Sequence, residues 1–187
     1  MEVLWAQIIS IVFNPYIHPI YLFIMVCIRN NLNLICSIPG IVFIALLPLL
    51  YHVLLHRMRK VDLDVSDRRK RPKILLVDAL FYAIAFILYY LMLRLNSLTM
   101  ISLIYLVVIL SVTFVTLFDK ICLHVVGFVI PSLVFYYINL RIVTLILLFL
   151  SIVVAYAKIK LKQHNLVQVI EGYLVPIIIV SLLFSVL

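Results

Sequence analysis

Charge is scarce in this chain, and acidic charge is scarcest: 12% of the 187 residues are charged, with 7 Asp and Glu against 15 Lys and Arg. Glycine is nearly missing, at Gly40, Gly127 and Gly172 only, and the cysteines are Cys27, Cys36 and Cys122. Each shortage removes a class of protein. So little charge beside 67% hydrophobic residues and a mean hydropathy of +1.32 excludes a soluble single domain. Cysteines scattered through apolar sequence, without paired or metal-type spacing, read as small buried hydrophobes. Few glycines and almost no mid-span polar groups argue against a transporter or channel, which needs close helix packing and a polar path. Met1-Glu2-Val3 opens without a basic region or small-residue cleavage site, so no cleavable signal peptide is expected. The net charge of +8 does not point to nucleic acid, because the basic residues sit beside apolar runs where lipid headgroups and topology account for them.

What the chain has instead is apolar runs near the length that crosses a bilayer. The expected fold is all-α, a polytopic transmembrane helix bundle of about six to seven spans forming a single integral-membrane domain over residues 1–187. Residues 3–14 end at Asn14-Pro15, with His18-Pro19 just beyond, and two prolines break any single helix. An interfacial or re-entrant N-terminal segment is expected there, leading into a span at about 19–31. Further spans are expected at about 34–55, 74–93, 98–118, 121–139, 141–157 and 166–187, the first of these kinked at Pro39-Gly40 and Pro48.

Three polar islands interrupt the apolar sequence, at residues 52–73, 119–124 and 158–171. Two spans separate consecutive islands, so each returns to the same face. Of the 15 Lys and Arg, all but Arg29, Arg94 and Arg141 fall on that face, which the positive-inside rule places in the cytoplasm. The five histidines, His18, His52, His56, His124 and His164, lie at or near it as well. Charge is costly in a chain this apolar, so clustered charge is where function is sought.

The first island carries Asp62, Asp64 and Asp67 and then Arg68-Arg69-Lys70-Arg71-Pro72. A basic stop-transfer loop accounts for it, but Arg69 and Arg71 before a helix-starting proline also suit two-pronged binding of phosphate oxygens. In the second, Asp119-Lys120-Ile121-Cys122-Leu123-His124, a histidine one turn into a span must bond a carbonyl, reach water or serve a site. The third holds Lys158, His164, Gln168 and Gly172. A helix starting near Asn165 puts His164 at its mouth, with Gln168 reaching back from the first turn. Asn165 and Gln168 also form the pattern of a helix-capping pair, and Lys158, Lys160 and Lys162 also fit interfacial anchors.

Over residues 52–187 these groups resemble, in order, the type-2 phosphatidic acid phosphatase superfamily, the membrane lipid-phosphate phosphatases. Arg69, Arg71 and Pro72 match that family's first motif, His124 stands at the histidine of the second, and Lys158, His164, Gln168 and Gly172 follow the spacing of the third. Asp64 replaces a lysine, Ile121-Cys122-Leu123 replaces Pro-Ser-Gly, and Gln168 replaces an aspartate. The resemblance implies a metal-independent hydrolase, with no cofactor, acting on a lipid phosphate or isoprenoid (di)phosphate through a phosphohistidine. It implies that His164 attacks phosphorus, that Arg69, Arg71 and Lys158 hold the phosphate oxygens, and that His124 protonates the leaving oxygen. Gln168 would hold the imidazole without neutralising its cation, slowing turnover unless Glu171, a turn further on, compensates.

Two alternatives stand beside it. One is a catalytically degenerate lipid-binding protein of the same fold. The other is a Mg²⁺-dependent membrane prenyltransferase using Asp62, Asp64 and Asp67, which requires a second acidic cluster that the chain offers only in Asp119 and the in-span Asp78.

Overall fold

The computed structural model describes residues 2–61, 65 and 67–186, and among them it is helical with no strand. Helix α1 (Glu2–Val12) gives way at Asn14-Pro15 to a short 3-10 turn (Pro15–Ile17), then to α2 (His18–Arg29). The break lies where the prolines require it, and the Asn14 side chain caps it by accepting from the Tyr16 N–H at 3.0 Å. The whole stretch Leu4–Arg29, at 26 residues, is nonetheless long and apolar enough to cross a membrane. The N-terminal segment and the first expected span therefore fall within one candidate stretch, by length and composition.

The next span, Leu34–Arg57, changes helix type along its length. A 3-10 turn (Leu34–Ser37) passes into α3 (Ile38–Gly40), a π-helical turn (Ile41–Leu46) and α4 (Leu47–Arg57). The π turn lies between Pro39 and Pro48, each of which lacks the N–H a regular ladder needs. The Tyr89 hydroxyl mends the irregular end, accepting from Gly40 N–H at 2.8 Å and donating to the Cys36 carbonyl at 2.9 Å. Then follow α5 (Arg71–Leu93), α6 (Ser97–Val115), α7 (Leu123–Tyr137), α8 (Arg141–Lys160) and α9 (Leu166–Val186). Among the described residues six stretches have the length and apolarity to cross a membrane, and α7 is a shorter apolar helix. The chain is an all-α, multi-pass integral membrane protein.

It divides into two compact units: residues 19–118, and residues 1–18 with 119–187. In the 19–118 unit, α5 and α6 pair as a hairpin whose turn is capped by Asn96, accepting from Leu98 N and Thr99 N at 3.0 Å each. The other unit is built around α7, which packs on both α8 and α9, while α1 packs on α8. Helix α7 is buried almost without a gap from His124 to Phe135, and its shortness follows. A helix wrapped by its neighbours need not itself match the bilayer, provided its ends find partners within the protein. They do: the Cys122 N–H donates to the Gln168 carbonyl at 3.1 Å, and the Leu140 N–H to the Phe135 carbonyl at 2.8 Å. Close approach at α7 needs glycine. A Cβ on Gly172 would stand 3.0 Å from the Cys122 carbonyl oxygen, and one on Gly127 would stand 3.0 Å from the Pro15 and His18 side chains.

Helix ends are handled without glycine. Asn31, Arg59, Asn139 and Lys162 take the left-handed conformation just past the ends of α2, α4, α7 and α8, with φ of 53°, 54°, 63° and 55°. At Lys162 the hydrogen bonds make a complete Schellman turn, with Lys162 N donating to the Ile159 carbonyl at 2.9 Å and Gln163 N to the Lys158 carbonyl at 3.1 Å.

Candidate functional site

In the unit containing α7, α8 and α9 the second and third polar islands meet. The Schellman turn after α8 folds the chain back, so residues 161–165 cross between two spans at their polar ends. The stretch 119–122 runs alongside. The Lys120 ammonium donates to the Gln163 carbonyl at 3.1 Å, and the Gln168 amide nitrogen donates to Asp119 Oδ1 at 2.7 Å. Together they line an open cleft of about 420 Å³, walled by Lys120, Ile159, Lys162, Gln163, His164, Asn165 and Gln168. That volume is enough for a headgroup phosphate with part of its ester.

His164 is buried in the wall, 7% exposed. Its Nδ1 lies 3.1 Å from Gln168 Oε1 and 3.2 Å from the Lys120 carbonyl oxygen. Both neighbours are acceptors, so Nδ1 carries a proton, which in a neutral ring puts the lone pair on Nε2. Gln168 also serves α9 as the expected cap: its N–H donates to Asn165 Oδ1 at 2.9 Å, and its Oε1 accepts from Asn165 N at 3.3 Å.

Two further sequence candidates from this unit lie off the cleft. Lys158 is fully buried and donates to Gln163 Oε1 at 2.9 Å, behind the residue that forms the wall. His124 is 7% exposed, and its Nε2 lies 3.2 Å from the Ser10 carbonyl of α1. That is the carbonyl-bonded alternative left open by the sequence. Neither residue lines the cleft.

Arg69 and Arg71 belong to the 19–118 unit. Arg71 starts α5 beside Pro72, is buried, and donates through Nε to the Val65 carbonyl at 3.1 Å. Arg69 is exposed, its backbone N–H donating to Asp67 Oδ1 at 3.0 Å, while Arg68 Nη1 donates to the Phe118 carbonyl. Asp62 and Asp64 lie outside the described residues. This unit also buries a polar pair that sequence spacing did not join: His52 Nε2 and Asp78 Oδ2, 3.0 Å apart.

Sequence reading missed Asp119, Lys120, Lys162 and Gln163 as site residues. Lys120 and Lys162 read as topogenic charge, and Gln163 had no motif to recommend it. Glu171, which would have to compensate for the missing acid if turnover is not to slow, keeps an enclosed Oε2 with no hydrogen-bond partner among the described residues. The carboxylate that touches Gln168 is Asp119.

Fold and cleft together define a multi-pass helical membrane protein with a basic, histidine-bearing cleft at the polar ends of α8 and α9. In comparisons with known proteins, no family model matches the sequence, and no curated protein or solved structure does so either.

Proposed function

We propose that the cleft takes the phosphate of a membrane lipid, a lipid phosphate or an isoprenoid (di)phosphate, and that His164 is its nucleophile in a phosphatase-like reaction. One observation carries this reading: a histidine with Nδ1 engaged by two oxygen acceptors lines an open cleft beside Lys120 and Lys162. Nε2 bonds to phosphorus while the bond to the lipid oxygen breaks, its electron pair leaving on that oxygen, which takes a proton from water. The hydroxide left by that water then attacks phosphorus as the P–N bond breaks, its electron pair returning to Nε2, and phosphate is released. Positive charge from Lys120 and Lys162 is placed to favour the phosphate oxygens, where negative charge is concentrated. The resemblance adds Arg69, Arg71 and Lys158 as phosphate ligands and His124 as acid, and these rest on motif alone. The polar face is cytoplasmic in this reading, on the strength of the charge bias.

The test is phosphate release from phosphatidate, prenyl phosphate and prenyl diphosphate by purified protein without added metal, beside His164→Ala. Release by wild type that the substitution abolishes supports the reading. Release that survives it, or that depends on Mg²⁺, sinks the histidine mechanism. A second reading is favoured by the capping pair, which gives Gln168 a structural duty of its own. It is that the cleft binds an anionic headgroup without hydrolysis. Tight phosphatidate binding with no release by wild type selects that reading.

A further inference from the structure

The amide of Gln168 sits between a carboxylate and an imidazole, and its orientation decides what the imidazole meets. Asp119 Oδ1 is an acceptor when ionised, so the Gln168 end that faces it at 2.7 Å must be the NH₂. The oxygen end is then turned toward His164 Nδ1 at 3.1 Å and the Asn165 N–H at 3.3 Å. Asp119 is itself held in place, because the same Oδ1 accepts from the Lys120 N–H at 2.5 Å. The Lys120 carbonyl, one residue along, is the second acceptor at His164 Nδ1, at 3.2 Å. One dipeptide thus supplies an acceptor to the ring directly and orients the other acceptor through an amide.

We propose that Asp119 is the positioning carboxylate of the cleft, acting through the Gln168 amide to hold His164 with its proton on Nδ1 and its lone pair on Nε2. The catalytic meaning rests on His164 being the nucleophile. The positioning itself does not. The arrangement moves the acid one side chain away from the imidazole, onto a different element. Asn at position 119 would keep it, because its Oδ1 can still accept from both Lys120 N and Gln168 Nε2. Ala would not, and a released Gln168 amide can turn its NH₂ toward the ring, where it competes with the Nδ1 proton.

Histidine-labelled full-length protein in lipid nanodiscs provides the test, by two-bond ¹H–¹⁵N correlation of the imidazoles with His164 assigned through His164→Ala. The wild-type His164 ring should show the Nδ1–H form. Asp119→Asn should retain that pattern, and Asp119→Ala should lose it. Gln168→Leu should lose it in the same way, and the Asp119→Ala/Gln168→Leu double variant should go no further than either single one. Phosphate release, read in parallel, should fall about 10- to 100-fold in Asp119→Ala and stay within about threefold in Asp119→Asn. An unchanged His164 ring in Asp119→Ala overturns the proposal, as does an Asp119→Asn ring that matches the Ala variant. A wild type that shows the Nδ1–H ring but releases no phosphate overturns the phosphatase reading and leaves the positioning role standing.

Discussion

His52 Nε2 and Asp78 Oδ2 lie 3.0 Å apart between α4 and α5, with His52 6% exposed and Asp78 0% exposed. Breaking such a pair strands the remaining partner in a medium that solvates it poorly. Asp78→Leu alone should therefore cost about 1–3 kcal/mol of stability, the range for a buried polar group that loses its partner. Replacing both, as His52→Leu with Asp78→Leu, should recover most of that loss, because two apolar side chains need no compensation. Thermal unfolding in detergent, followed by circular dichroism, measures both. A double variant as unstable as the single one would show that the pair has a structural role beyond its own hydrogen bond.

His124 sits against the Ser10 carbonyl, tying α7 to α1 within one unit. A hydrogen bond of this kind contributes about 0.5–1.5 kcal/mol, whereas a lost general acid costs about 10²–10⁴ in rate. The geometry predicts the first outcome: His124→Ala lowers the midpoint of thermal unfolding and leaves phosphate release within about an order of magnitude. A rate loss beyond a hundredfold with unfolding unchanged would instead make the ring an acid that leaves Ser10 during turnover.

Periodicity and apolar run length were enough to place α5, α6, α8 and α9 within a few residues, because each is set by its own sequence and bounded by polar residues. The break at Pro15 and the Asn165–Gln168 cap were legible for the same reason, since both are local. The π turn at 41–46 was not, although Pro39 and Pro48 marked its neighbourhood, because the Tyr89 hydroxyl that supports it comes from another helix. Of the cleft, His164 and Gln168 were legible through spacing along one helix start. Asp119 was not: helical spacing pointed to Glu171, and only the tertiary fold brings the 119–122 stretch against α9. Lys162 was hidden by its residue type, since glycine is the usual signal for a left-handed cap and here there is none.

Lys158 is held where it steadies the turn. Its Nζ bonds Gln163 Oε1 at 2.9 Å, and its carbonyl accepts the Gln163 N–H at 3.1 Å. Lys158→Met keeps the buried stem and removes the ammonium. Amide hydrogen exchange at residues 161–165 should then quicken by about tenfold, matching the loss of one charge-assisted bond. An unchanged exchange rate together with a large rise in KM would return Lys158 to the direct phosphate contact that the resemblance implies.

Lys162 carries a strained backbone and a cleft charge at once, so one substitution should move stability and binding in opposite directions. At φ 55° a lysine is disfavoured where glycine is not, and no side-chain bond to Lys162 offsets the difference among the described contacts. Lys162→Gly should therefore raise stability by about 0.5–1 kcal/mol, part of the relief being offset by the extra freedom glycine gives the unfolded chain. The same change removes a positive charge from the cleft wall, and phosphatidate affinity should fall about three- to tenfold at low salt, less at high salt as screening grows. Lys162→Asn separates the two effects, because asparagine tolerates the left-handed region but brings no charge. It should match Lys162→Gly in lost affinity and keep the turn intact. If Lys162→Gly gains stability while phosphatidate affinity holds at every salt concentration, the cleft draws its anion-binding charge from Lys120 rather than Lys162.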